Sequence, residues 1–320
     1  MYEYDKYVCT VENSKEVLNK FGVAIIPQIL SEEECRKMTL GMFNFFEHIT
    51  SNWEKPFKIK DKDTWRELYK LMPMHSMLFQ HWKIGHSQHV WDVRQNPTIV
   101  DAFAKIWSCK QEELLVSFDG ASFHLPPEST NKGWFNKQWF HTDQSFTRNE
   151  LECIQSLVTS LDVKEGDATF CFMEGSHLFH KDFGQHYSIK DKSDWYKLND
   201  EEINFFKDKG CEIKRIKCPK GSLVLWDSRT IHCGVESLKG REKKNFRSVI
   251  YICMTPRSKC SVKDLEKKKK AFEEMRMTTH WPHKPKLFPK SPRTYGNEIP
   301  PILDIPKPEL SHLGMKLSGF

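Results

Sequence analysis

The chain has 320 residues, 38% of them hydrophobic and 29% charged, and a net charge of +6, which is enough for one large catalytic domain or two small ones around a buried core. The positive charge is spread over many lysines rather than gathered in one run, so no nucleic-acid partner is expected. The polar start Met1–Thr10 lacks the apolar stretch of a secretory signal, and no apolar run approaches the roughly 20 residues of a membrane span, so the sequence points to a cytoplasmic protein that does not engage a membrane.

In chain order, Phe21-Gly22-Val23-Ala24-Ile25-Ile26-Pro27 reads as a short strand stopped by proline. Ser31 with Glu34 three residues on is a capping box, and Met38, Met42 and Phe45-Phe46 follow at helical spacing as a core stripe. Asn96-Pro97 opens a further helix through Ile99, Phe103 and Ile106-Trp107. His75, His81, His86 and His89 crowd this N-terminal half. No acidic or cysteine ligands accompany them, so a second metal site is not expected.

From Leu114 to Thr255 the texture changes to β-branched and aromatic runs bounded by Gly, Pro or charged turns: 115–119, 121–125, 153–162, 167–173, 222–227 and 246–254. Many short strands of this kind predict a sandwich or jelly roll. A polar insert, 177–214, carries helical character over 200–207. After it come a charged helix, Ser261–Met277, and a tail in which residues 281–308 hold eight of the sixteen prolines. Glu266–Lys270 and Lys269–Glu273 are i,i+4 pairs on that helix, and the Lys267–Lys270 run reads as a solvated face. The expected layout is one domain over 1–260, helical over 1–113 with a β core over 114–256, and a 261–320 extension packed on it. Ten cysteines lie scattered with no C-x-x-C spacing, which excludes a zinc ribbon or a disulfide framework and suggests reduced, buried thiols.

His141-Thr142-Asp143, His232 and Arg247 carry the chemistry. Two histidines and a carboxylate are the facial ligand set of non-haem Fe(II), which leaves coordination positions open. In a strand, residues i and i+2 share a face, so His141 and Asp143 can reach one ion. Lys220-Gly221-Ser222 launches an apolar strand, a polar turn reverses it at 228–230, and His232 starts the next strand. Arg247 interrupts an apolar strand, where a charge is costly unless paired, and its planar fork suits a carboxylate.

Together with Gly166…Gly175-Ser176-His177 and the opening Gly22-Val23-Ala24-Ile25-Ile26-Pro27…Ser31-Glu32-Glu33, these motifs resemble the phytanoyl-CoA dioxygenase (PhyH) superfamily over roughly 16–256. The resemblance implies a mainly β protein with flanking helices built on a double-stranded β-helix, a jelly roll of cupin type. It also implies Fe(II), 2-oxoglutarate as co-substrate and O2 as oxidant. His141, Asp143 and His232 would be the iron ligands, and Arg247 would bind the far carboxylate of 2-oxoglutarate. Arg247 follows His232 by fifteen residues, a longer interval than usual. Arg241 competes for its role but falls in the charged loop 238–245. Related halogenases replace the Asp143 carboxylate with a small residue, so its presence favours hydroxylation.

On the strand 153–159, Ser156 and Val158 share one face and Gln155 and Thr159 the other. The family resemblance favours Ser156 as a 2-oxoglutarate contact. Asp119, Ser122 and His124 on the preceding strand, and Gln144 after the metal motif, are candidates to face substrate, with Trp134, Trp139 and Phe140 as a wall. The expected activity is hydroxylation of a C–H bond in a small metabolite or acyl-type molecule, with release of succinate and CO2. The alternatives are a non-catalytic cupin-like binding protein, which would not retain every member of the site, and a metallohydrolase, which would have no use for Arg247.

Overall fold

The β-rich middle of the chain folds into two facing sheets in the computed structural model, which describes residues 1–71, 78–134, 138–292, 294 and 298–320. In chain order the strands are β1 (Tyr2–Glu3), β2 (Val23–Ile26), β3 (Leu114–Val116), β4 (Ala121–His124), β5 (His141–Thr142) and β6 (Ile154–Thr159). They continue with β7 (Thr169–Met173), β8 (Tyr196–Lys197), β9 (Ile213–Ile216), β10 (Leu223–Asp227), β11 (His232–Val235) and β12 (Arg247–Pro256). One sheet runs β1-β9-β7-β11-β5-β8. The other runs β2-β10-β6-β12-β3, with β4 also paired to β12. Side chains from both sheets meet in one apolar interior: Val23, Ile25, Leu157, Val224, Trp226 and Val249 face Phe170, Phe172 and Ile216. This is the double-stranded β-helix that the family resemblance implied.

Alternation explains how each strand serves two layers. On β6, Leu157 points into the interior, while Ile154 and Val158 join a second cluster outside the sheet. That outer cluster is supplied by the helices α1 (Ser14–Phe21), α2 (Glu32–Ile49), α3 (Gln88–Arg94) and α4 (Pro97–Trp107). Buried on both faces, such strands read as continuous apolar runs. The core stripe of α2 is as expected, with Met38, Met42, Phe45 and Phe46 buried and the Ser31–Glu34 capping box formed. Asn96 caps α4 through its side chain. A short helix, α5 (Pro127–Thr130), follows β4, and α6 (His180–His186) and α7 (Asp200–Asp208) cover the outer face of the β11-containing sheet.

The C-terminal extension packs on the helical side. Ala271 from α8 (Val262–Glu273), Met277, and Leu317 from α9 (His312–Ser318) all enter the cluster of α2–α4. One expectation fails here. Lys268 is 1% exposed rather than solvated: its Nζ donates to the Val116 carbonyl and lies 4.0 Å from the Phe118 ring centroid. A run of four lysines spans more than one helical turn, so one of them must face the sheet. The ion pairs that form are Lys269–Glu266 and Lys270–Glu274, not the two read from spacing.

Candidate metal centre

Strand register builds the centre. His141 of β5 and His232 of β11 are directly opposite one another, with ring centroids 4.4 Å apart. Asp143 leaves β5 held by its N–H on the Ser228 carbonyl, 3.2 Å away. Its Oδ2 then lies 3.3 Å from His232 Nε2 and its Oδ1 3.7 Å from His141 Nε2. One ligand atom from each residue falls within 4.8 Å of the other two, and all three side chains are buried. Among the described residues this is the only such group of three or more His, Cys, Asp or Glu side chains.

The tautomers are set by backbone. His141 Nδ1 lies 3.2 Å from the Trp139 carbonyl and His232 Nδ1 2.9 Å from that of Thr230, so each Nδ1–H donates and each Nε2 is turned towards Asp143. Burial pushes the His141 imidazolium down to about 4, helped by the neighbouring His232 ring and opposed by Asp143. Burial alone would raise Asp143, but the rings of His280, His141 and His232 together hold it well below the usual carboxylate range. A neutral His141 and an ionised Asp143 are the forms that bind a cation. Trp139 stacks on His141 at 4.6 Å and 7°. The Gly175-Ser176-His177 turn braces the other histidine: Ser176 Oγ accepts from Ile231 N–H at 2.8 Å, and His177 Nε2 meets the Asn19 carbonyl at 2.9 Å.

Arg247 begins β12 opposite His124, in phase with the interior residue Val249. It is 5% exposed, and its guanidinium donates to Ser122 Oγ at 3.3 Å and the Ala168 carbonyl at 3.0 Å. Among the described residues it forms no ion pair. Arg241, its competitor, is fully engaged by Glu128 at 2.6 Å and Asp167 at 2.7 Å. A buried guanidinium with no ion pair among the described residues is costly until a carboxylate joins it.

The remaining sequence candidates separate. Ser156 lies on the outward face of β6, its Oγ donating to the Ile252 carbonyl at 2.9 Å. Gln155 is the residue of this strand that reaches the centre, with Nε2 3.0 Å from Asp143 Oδ2. Asp119 is paired with buried Arg94 at 3.3 Å, and Gln144 is engaged by Ser228, Arg148 and Glu150, so neither is presented to a substrate. Ser122 and His124 sit beside Arg247 rather than at the mouth. His86 meets the Arg276 carbonyl and His89 packs on Phe45, while His75 lies outside the described residues.

Sequence reasoning missed the contribution of the tail. His280 neighbours Asp143 and its backbone carbonyl, and Trp281 packs on Cys153 and Cys253. The loop before β8 brings Trp195, 52% exposed, to 5.9 Å from the His141 ring. Asp194 clasps this loop to the tail through Lys286 at 2.6 Å and also pairs with Arg148, whose guanidinium lies 5.5 Å over Trp281. A prolyl-rich segment far from the motifs carries no sequence signal for such a role.

Fold and centre define a double-stranded β-helix protein with a buried His-Asp-His site. The family model for phytanoyl-CoA dioxygenase (PhyH) matches residues 18–241, and the chain belongs to that family. It is 30% identical to the Ava biosynthesis cluster protein O of Aspergillus versicolor over 278 residues, 84% of this chain and 86% of the relative. Its fold is similar to that of the hypothetical protein JW0805 from Escherichia coli, with a TM-score of 0.59 at 13% identity over 99% of this chain and 86% of the other. The epimerase SnoN, in complex with Fe3+, alpha-ketoglutarate and nogalamycin RO, gives a TM-score of 0.50 at 13% identity, with 77% and 83% covered. His141, Asp143 and His232 fall inside the family match, and Arg247 lies six residues beyond it.

Proposed function

We propose that the protein is an Fe(II)- and 2-oxoglutarate-dependent dioxygenase that hydroxylates a C–H bond of a small molecule, with release of succinate and CO2. The observation that carries this reading is Arg247. A metal-binding trio alone would serve a hydrolase or a binding protein, whereas a buried guanidinium on the same interior calls for an anionic ligand as well. His141, Asp143 and His232 would hold the iron, and Arg247, with Ser122 and His124 around it, would take the distal carboxylate of 2-oxoglutarate. Bound iron would supply the activation of O2.

The chain's own residues perform the rest. The backbone carbonyls of Trp139 and Thr230 fix the two imidazoles, and Gln155 orients the carboxylate. Phe170 and Trp226 flank His232 at 5.3 and 5.5 Å and keep the interior side dry. The indoles of Trp139 and Trp195 beside His141 favour a substrate with an apolar or aromatic surface.

Anaerobic addition of Fe(II) and 2-oxoglutarate to the pure protein tests this reading. A weak visible charge-transfer band is expected, and it should be lost in both His141→Ala and Arg247→Ala. In air, succinate should form, and its release should accelerate with the right candidate from a metabolite screen. Absence of both the band and succinate would overturn the assignment.

A further inference from the structure

Two pairs among the ten thiols are neighbours, Cys171 with Cys233 and Cys153 with Cys253. Cys153, one residue before β6, and Cys253 of β12 have their Sγ atoms 2.9 Å apart. A disulfide spans about 2.0 Å, so a bond between them needs a shift of about 0.9 Å. The pair lies next to residues that hold the proposed iron site. Cys253 is in register with Gln155, whose amide holds Asp143 at 3.0 Å, and Cys153 Sγ lies 3.6 Å from the His280 carbonyl. Trp281 completes a small apolar cluster over both sulfurs.

Burial makes these poor thiols for ordinary redox chemistry. Both are fully covered, and burial pushes each upward, Cys253 well above the usual thiol range. They stay protonated at neutral pH, and thiolate attack on peroxide or disulfide in bulk solution is disfavoured. An oxidant that bound iron would supply at the neighbouring site does not require a thiolate.

Resting on the dioxygenase reading above, we propose that Cys153 and Cys253 form an internal dithiol that takes up the oxidising equivalents of turnover when no substrate does so. The balance closes. One 2-oxoglutarate and one O2 react with the two thiols to give succinate, CO2, one water and a Cys153–Cys253 disulfide. The C1–C2 bond of 2-oxoglutarate, the O–O bond and two S–H bonds break. One oxygen atom ends in succinate, and the other receives the two thiol protons and two electrons as water. The dithiol would thus supply the two electrons that a substrate otherwise gives, and the protein is modified at a position that a dithiol reductant restores.

Full-length protein with Fe(II) and 2-oxoglutarate, in air and without substrate, is alkylated under denaturing conditions and mapped by peptide mass spectrometry. A linked Cys153–Cys253 peptide, lighter by two hydrogens, is expected, absent when 2-oxoglutarate or air is omitted and reversed by dithiothreitol. Cys171 and Cys233, directly opposite on β7 and β11 and also buried, should remain alkylated throughout. Cys153→Ser should leave Cys253 alkylated. Succinate without the linked peptide overturns the dithiol and leaves the dioxygenase standing. A linked peptide that forms without 2-oxoglutarate, or a Cys171–Cys233 link in its place, overturns it too. Absence of both succinate and the charge-transfer band removes the dioxygenase reading, and the dithiol proposal with it.

Discussion

Gln155 donates from Nε2 to Oδ2 of Asp143 across 3.0 Å, and the same oxygen lies 3.3 Å from His232 Nε2. The amide therefore fixes which way the carboxylate turns, and it does so from the opposite sheet. Partners of this kind orient metal ligands and typically contribute 10–100-fold to affinity. Gln155→Leu preserves bulk within a strand buried on both sides and should fold. Its Fe(II) affinity is expected to fall about 10–100-fold, read as a rightward shift in an anaerobic Fe(II) titration of the charge-transfer band. An unchanged titration would show that Asp143 is oriented by the histidines alone.

The two arginines near β12 give opposite predictions. Arg247→Ala removes the buried cation beside Ser122 and Ala168, so 2-oxoglutarate binding should collapse while a metal ion still binds at the triad. Arg247→Lys should recover only a fraction of that affinity, because one ammonium cannot match the bidentate fork. Arg241→Ala instead strands Glu128 and Asp167, two partly or fully buried carboxylates, and should cost about 3 kcal/mol or more of stability with 2-oxoglutarate affinity nearly intact. Calorimetric titration of the co-substrate and thermal unfolding of the same two variants separate the roles.

What could be read from the sequence divides along physical lines. The triad was legible because strand period and residue chemistry coincide: His141 and Asp143 are two apart, and His232 opens the strand that pairs with β5. Arg247 was legible as an expensive charge in an apolar strand. The face of β6 was not, because Ile154 to Thr159 is buried on both sides and alternation without a solvent face has no sign. The resemblance favoured Ser156, and the register favoured Gln155. Asp119 looked available because its partner Arg94 is distant in sequence, and Gln144 because Ser228 reaches it from far along the chain and its other partners are backbone carbonyls of an irregular turn. His280 and the Cys153–Cys253 contact depend on tail packing that no local pattern encodes.

Asp194 joins the Trp195 loop to the tail strap, and its carboxyl is the hinge of a further prediction. Burial opposes its ionisation, but Lys286 and Arg148 outweigh that and lower it below the ordinary carboxylate value. A carboxylate depressed in the folded state contributes stability above its unfolded value near 4, and that contribution disappears as pH falls through the lower folded value. The clasp should therefore hold at pH 5 and open only in stronger acid. Because Lys286 is more than half exposed, the contribution is discounted to about 1 kcal/mol. Asp194→Asn should speed amide exchange in 278–288 and 190–197 by about five-fold at pH 7, with α2 and β6 unaffected. Equal exchange in the two proteins would show that Trp281 packing alone retains the strap.

Lys268 offers a test of stability against pH with a definite sign. Burial drives its ammonium down to about 7, against about 10.4 in an unfolded chain. Between these values the unfolded state binds the proton and the folded state does not, so stability contributed at this site rises with pH from about 7 to about 10. Below about 7 both states carry the charge, and the full cost of burying it is present, partially offset by the Val116 carbonyl and the Phe118 ring. Lys268→Met keeps the volume and removes the charge, leaving the Val116 carbonyl short of one donor. Replacements of buried charges by apolar groups of similar size are often neutral or stabilising by about 1–4 kcal/mol. The variant should unfold at a higher denaturant concentration than the wild type at pH 6, and the gap should narrow steadily towards pH 10. A gap that is constant across this range would mean that the Lys268 ammonium retains its proton in the folded protein, stabilised by Phe118 more strongly than burial opposes it.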